Sequence, residues 1–196
     1  FESGKADGFL IRSGTGQVVD DGTKNKVLEV KKLPNNWSYL EFGPSNFLDG
    51  IVTFRVKLID YVENEQEGGA VALLFRHKSW GGENYQLFMN PFYGSVSFVH
   101  QIPSPNNQWI TLNPKFNVVF RKNIWYSVRV EIVGNEFLAY LDGIFTTQSR
   151  NSSLNTSGLL ALMTKSGGQF DEFQVQVFGN DATQASGVVK LGIYRP

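Results

Sequence analysis

The sequence predicts an all-β fold, a two-sheet antiparallel β-sandwich, and three observations carry that expectation. First, apolar and polar residues alternate with a period of two. Tyr126, Val128, Val130 and Ile132 alternate with Ser127, Arg129 and Glu131, and Val52, Phe54, Val56 and Leu58 with Thr53, Arg55 and Lys57. This is the pattern of strands with one buried face. Second, Gly134-Asn135 and Asp142-Gly143 supply the positive φ angles that two-residue hairpin turns require. Third, the 196 residues are 41% hydrophobic and 14% aromatic, with sixteen Phe, seven Tyr and four Trp. That material suits pleated sheets, and no segment sustains a helical apolar period.

Trp125 to Ser149 reads as a three-stranded meander, which cannot bury its apolar face alone and therefore calls for an opposing sheet. Taken in order, Gly8 to Ser13, Gln17 to Asp20 and Lys26 to Val30 are short strands separated by glycine turns such as Asp20-Asp21-Gly22. Trp37 to Phe42 and the long alternating stretch Val52 to Leu58 follow. Beyond the acidic loop Glu63 to Gly69, Ala70 to Phe75 is continuously apolar, as expected of a central strand covered on both faces. Asn84 to Met89, Ser95 to Gln101, Trp109 to Leu112 and Asn117 to Phe120 continue the β pattern. Gly158 to Thr164 and Phe173 to Val177 end the confident series. A single domain over residues 1–178 is expected, with 179–196 as a closing strand around Val188 to Tyr194 or a linker.

Eighteen basic residues balance eighteen acidic ones, and no Lys/Arg run offers the footprint of nucleic acid or anionic lipid. No apolar run reaches the ~20 residues of a membrane-spanning helix. The chain has no cysteine, which removes disulfide and thiolate chemistry. It opens at Phe1 without Met or a charged leader and reads as a processed or excised domain. Sequons begin at Asn36, Asn151 and Asn155, usable only in a eukaryotic secretory pathway.

Several spaced phrases resemble concanavalin A-like (laminin-G-like) jelly rolls. They are Phe1-Glu2-Ser3-Gly4, Leu74-Phe75-Arg76 followed by Asn84-Tyr85-Gln86-Leu87, Trp125-Tyr126-Ser127-Val128-Arg129-Val130, Tyr140-Leu141-Asp142-Gly143 and Phe170-Asp171-Glu172-Phe173. The resemblance spans about residues 1–178 and rests on strand signatures, so it speaks to fold more than to activity. It implies an extracellular sugar-binding module or an accessory domain of a glycan-active enzyme, while some proteins on this fold are hydrolases or lyases. The acids of Phe170-Asp171-Glu172-Phe173 are adjacent, and so the Glu-x-Asp-x-Glu pattern of laminarinase-like hydrolases is missing.

The resemblance also implies a structural calcium joining the first segment to the last strand, with Glu2 and Asp171 as ligands and the Asp20, Asp21 and Lys24 turn completing an oxygen shell. Asp171 has the parity of Phe173, Val175 and Val177 and is expected to face inward. The alternative is a carboxylate hydrogen-bonded to loop amides. For a glycan, flat aromatic faces and planar polar groups are needed. Trp80, Tyr85 and Tyr93 lie close in sequence to Arg76, Gln86 and Asn90, with Trp37 and Trp109 as further aromatics. Tyr85 also shares parity with Leu87 and Met89, a core pattern. Trp80, in a Gly-Gly loop, is the aromatic with least in sequence to bury it. His77 and His100 stand near strand ends, where polar histidines need no catalytic role. The expectation is a non-catalytic, secreted or cell-surface carbohydrate-binding module, part of a larger protein. The alternatives are a glycoside hydrolase or polysaccharide lyase on the same fold, or a structural or adhesive module.

Overall fold

The computed structural model describes residues 5–33, 36–60, 69–79, 81–103, 105, 107–179 and the backbone strand 185–191. In chain order the strands are β1 (Phe9–Ser13), β2 (Gly16–Asp20), β3 (Lys26–Val30), β4 (Ser38–Phe47), β5 (Gly50–Asp60), β6 (Val71–His77), β7 (Asn84–Asn90), β8 (Ser95–Ile102), β9 (Gln108–Lys115), β10 (Trp125–Val133), β11 (Glu136–Leu141), β12 (Ile144–Arg150), β13 (Gly158–Thr164), β14 (Gly167–Phe178) and β15 (Ala185–Leu191). Among the described residues there is no helix, and so none long and apolar enough to cross a membrane. One sheet has seven strands in the order β1-β4-β13-β6-β7-β8-β9. The other has eight, β12-β11-β10-β5-β14-β3-β2 with β15 on the flank of β14. The strand pairs are antiparallel, so this is the two-sheet sandwich that the alternation predicts.

The hydrophobic core fills the space between the sheets. Val128, Val130 and Ile132 of β10, Phe54 and Val56 of β5 and Val175 of β14 are all buried in it, while Val177 is partly buried at its margin. Phe173 stacks on Phe54 (5.5 Å between centroids) and meets Phe9 edge-on at 4.8 Å. At the other end Phe137 contacts Tyr85 at 4.8 Å and Phe75 at 5.0 Å. Such pairs add ~0.5–1.5 kcal/mol each beyond the area they bury. Every residue of β6 is buried, in keeping with its unbroken apolar run.

Two expectations change. Asn117 to Phe120 forms no strand: β9 ends at Lys115, and Asn113 and Asn117 both take positive φ, which breaks the pleat. Asp171 is buried, but not on the core face. Glu172 has φ 51°, and the β5–β14 register slips between Asp171 and Gln174. Phe170 therefore pairs with Val56 and Asp171 with Arg55, while Val175 pairs with Val52. The bulge resets the period, so Phe173 shares a face with Phe170 and not with Asp171.

Candidate functional site: the outer face of the seven-stranded sheet

A sheet whose outer face met water alone would be polar there. In β7, Tyr85, Leu87 and Met89 enter the core, which turns Asn84, Gln86, Phe88 and Asn90 outward. On that outer face Tyr39, Ala72, Leu74, Ala161 and Met163 form a second apolar cluster, against which Trp37 and Phe88 pack. Trp37 lies 6.0 Å from Phe88, and Phe88 lies 6.3 Å from Trp109. These three rings form an aromatic row across the sheet, and Trp109 is 43% exposed.

The row borders two recesses that share Trp109. One, of about 190 Å³, is lined by Trp37, Tyr39, His77, Asn84 and Gln101 among others. The second, of about 580 Å³, is lined by Phe88, Tyr93, Ser95, Ser97, Thr111 and Phe116 among others. The larger is within the ~300–1,000 Å³ usual for small-molecule sites.

A backbone irregularity delivers His77 to this face. Arg76 takes φ 51°, and the β6–β13 register shifts between the pairs Leu159↔His77 and Ala161↔Leu74. By simple alternation His77 would share the core side with Phe75; the bulge turns it outward beside Leu74. Gly158 makes room, since a Cβ there would come within 2.5 Å of the His77 carbonyl oxygen. His77 is 1% exposed, and among the described residues neither ring nitrogen has a hydrogen-bond partner. Burial pushes its pKa below the ordinary 6.5 against the pull of Glu41, which favours the neutral ring, one nitrogen a donor and the other an acceptor. Its ring meets Tyr39 edge-on at 5.5 Å, and burial, then the Glu41 charge, raises the Tyr39 hydroxyl pKa. Glu41 is held by Arg12 at 2.8 Å.

Beside His77, amides form a ladder. Asn84 Nδ2 and Gln86 Nε2 both donate to Gln101 Oε1, at 3.0 and 2.9 Å, and Gln86 Nε2 also reaches Asn84 Oδ1 at 3.0 Å. Gln86 Oε1 is buried without a partner. Buried polar atoms without partners cost ~1–3 kcal/mol each, so His77, which lines the smaller recess, marks a place suited to an external hydrogen-bonding group; Gln86 is fully buried and lines neither recess.

The sequence candidates divide. Gln86, Asn90, Tyr93, Trp37 and Trp109 belong to this face, whereas Trp80 lies outside the described residues. Asn90 lines the larger recess and caps its own turn, accepting from Phe92 N at 3.0 Å. Arg76 and Tyr85 are corrected from ligand contacts to scaffold. The Arg76 guanidinium donates to the carbonyls of Leu48, Leu154 and Gly134 and pairs with Asp49 at 3.0 Å. It is buried because it ties three loops together. The Tyr85 ring is in the core, where its hydroxyl donates to Asn151 Oδ1 (2.6 Å) and accepts from Leu154 N (2.9 Å). That bond also occupies the Asn151 sequon, whereas Asn155 is exposed. His77 and His100 do not face one another: His100 is inward of the same sheet, 4.9 Å from the Tyr85 ring and 2.8 Å from Glu83. Sequence reasoning missed Gln101, Phe88 and the partnerless state of His77, because a bulge at a non-glycine residue leaves no signal in the alternation.

Among the metal candidates, Glu2 lies outside the described residues, and among those described no three His, Cys, Asp or Glu residues cluster. Asp20 Oδ1 accepts from Gly22 N at 2.8 Å and Lys24 N at 3.2 Å, and Asp21 Oδ1 accepts from Thr23 N at 2.9 Å, closing the turn. Lys24 has φ 67°. Asn25 Nδ2 crosses to Asp171 Oδ2 at 2.9 Å, yet Asp171 Oδ1 and Asn25 Oδ1 are both buried without partners. Both are oxygens of the kind a hard cation takes as donors.

Comparison with solved structures agrees with this architecture. A carbohydrate-binding module CBM66 from Bacillus subtilis superposes with a TM-score of 0.65 at 16% identity, covering 83% of this chain and 91% of its own. A Bacillus subtilis protein of unknown function with a galectin-like fold gives 0.64 at 11% identity, over 87% and 89%. The chain shares the two-sheet β-sandwich fold of these proteins. A putative glycosyl hydrolase from Parabacteroides distasonis gives 0.60 at 9% identity, over 88% and 94%. No family model and no curated protein sequence matches the chain.

Proposed function

We propose that this chain is a non-catalytic, extracellular carbohydrate-binding module that holds a glycan on the outer face of its seven-stranded sheet. The observation that carries the reading is the buried His77, without a hydrogen-bond partner among the described residues, in the recess that Trp37 and Trp109 border. Sugar rings stack their C–H faces on aromatics, and their hydroxyls both donate and accept, as a neutral imidazole requires. Similar structures include a carbohydrate-binding module and a putative glycosyl hydrolase, which supports a carbohydrate partner. Hydrolysis by a carboxylate pair needs two acids flanking one bond, and Glu41, the acid beside His77, is already bridged to Arg12.

One observation favours the enzyme reading: Tyr39 and His77 lie together on this face, an acid and base of the kind used in elimination. Their contact is ring to ring and His77 accepts no hydrogen bond, so the proton relay that such a pair needs is not made. A glycan array read beside a reducing-sugar and unsaturated-product assay tests both readings. Retention without product supports a binding module; turnover of a retained polysaccharide makes it an enzyme.

We also propose a structural calcium held by Asp171, Asn25 and oxygens of the Asp20–Lys24 turn, with Glu2 as a further ligand. An ion bound only by the folded chain stabilises it by linkage. Chelation is expected to lower Tm in the parent and not in Asp171→Ala; an unchanged Tm with no metal by elemental analysis contradicts the site. A secreted or surface-attached setting within a larger protein accompanies this reading.

A further inference from the structure

The two recesses differ in what they offer, and the difference specifies the ligand. The smaller includes His77, Asn84 and Gln101 in its lining and is too small for more than about one sugar ring by comparison with the ~300 Å³ lower bound of drug-sized sites. The larger presents Phe88, Tyr93, Val99, Trp109 and Phe116 with only hydroxyls and an amide between them. Trp109 borders both. Among the described residues, neither lining contains Lys, Arg, Asp or Glu.

Resting on the carbohydrate reading above, we infer that the site takes an uncharged oligosaccharide laid across β6 to β9, with one sugar ring against His77 and Gln101 in the smaller recess and the next rings over Trp109 and Phe116. A carboxylate or sulfate desolvated here would have no cation to meet it. Two cations at this face are already engaged: Arg12 pairs with Glu41 at 2.8 Å, and Lys165 lies over the Trp37 ring at 6.0 Å. Glu41, whose charge acts on His77, repels an anion from the smaller recess. The neutral His77 is satisfied by hydroxyls, which a neutral sugar carries in excess. A single ring fills only the smaller recess, so affinity should grow as the chain lengthens onto Trp109 and Phe116.

Calorimetric titration with gluco-, manno- and fructo-oligosaccharides of one to six units, alongside uronate oligomers of equal length, tests this directly. Affinity for the preferred neutral series should rise about tenfold or more between one and three units, then level, with at least tenfold discrimination against uronates. His77→Ala should weaken short and long ligands alike. Phe116→Ala, at a half-exposed residue whose truncation leaves the core intact, should weaken only the longer ones. Length-independent affinity, or uronates binding as well as neutral chains, overturns the inference while leaving a glycan-binding protein. Binding of neither class overturns the carbohydrate reading itself.

Discussion

The two faces of the seven-stranded sheet each bury a histidine, and they treat it differently. On the inner face His100, 2% exposed, hydrogen-bonds Glu83 at 2.8 Å and packs on Tyr85. On the outer face His77, 1% exposed, has neither nitrogen satisfied. Burial alone does not separate structure from function; the accounting of hydrogen bonds does. The same contrast runs through the strands. The inner face is closed by the opposing sheet, while the outer face keeps an apolar cluster, an aromatic row and two recesses with no strand laid over them among the described residues.

The strongest break in this comparison is Arg76→Ala. It leaves three loop carbonyls without their guanidinium donor and Asp49 with the Gly134 N–H alone and should cost ~3–5 kcal/mol in urea unfolding. Binding should be lost only in proportion to unfolding, as befits a residue of the scaffold. Gly158→Ala comes next. Its Cβ would strike the backbone of Arg76 and His77, so a loss of ~1–3 kcal/mol is expected, together with weaker binding in the fraction that remains folded. Trp109→Ala should weaken glycan binding roughly tenfold with Tm nearly unchanged, because the ring is 43% exposed.

The paired histidine variants sharpen the contrast. His100→Ala should lose ~1–2 kcal/mol of stability and keep its affinity. His77→Ala should lose affinity several-fold, and because the cavity it leaves is offset by removal of unpartnered ring nitrogens its stability loss should be smaller than that of His100→Ala. The smallest effect is in pH. Burial lowers the His77 pKa below 6.5, so the unfolded chain takes up a proton that the folded chain refuses. The folded state therefore weakens as pH falls through about 6.5, and that component of the acid sensitivity should be missing from His77→Ala.

The fold was legible because the two-residue period of β5 and β10, and the turns at Gly134 and Asp142, are local properties of the sequence. The error at Asn117 to Phe120 came from the same source, since backbone at positive φ in Asn113 and Asn117 is invisible to an apolar pattern. The site was legible only in pieces. Trp37, Tyr93, Asn90, Gln86 and Trp109 were identifiable as residue types suited to sugars, but what unites them is sheet register. Arg76 and Tyr85 have equally suitable side chains and are drawn into the scaffold, one by three loop carbonyls and the other by core alternation. His77 reached the outer face through the bulge at Arg76, and Asp171 left the core face through the one at Glu172. In both cases a single non-glycine residue at positive φ inverted the parity that sequence reasoning depends on.

The central claim, that ligands are held on the outer face of the seven-stranded sheet, is tested most directly by the indole N–H resonances of the four tryptophans during titration with a glycan that the protein retains. Trp37 and Trp109 border the recesses, whereas Trp125 stands in the other sheet between Arg55 and Lys57, 4.9 Å from each. The account predicts that the Trp37 and Trp109 signals shift with saturation while Trp125 stays fixed. A shift of Trp125 with Trp37 and Trp109 unmoved would contradict it.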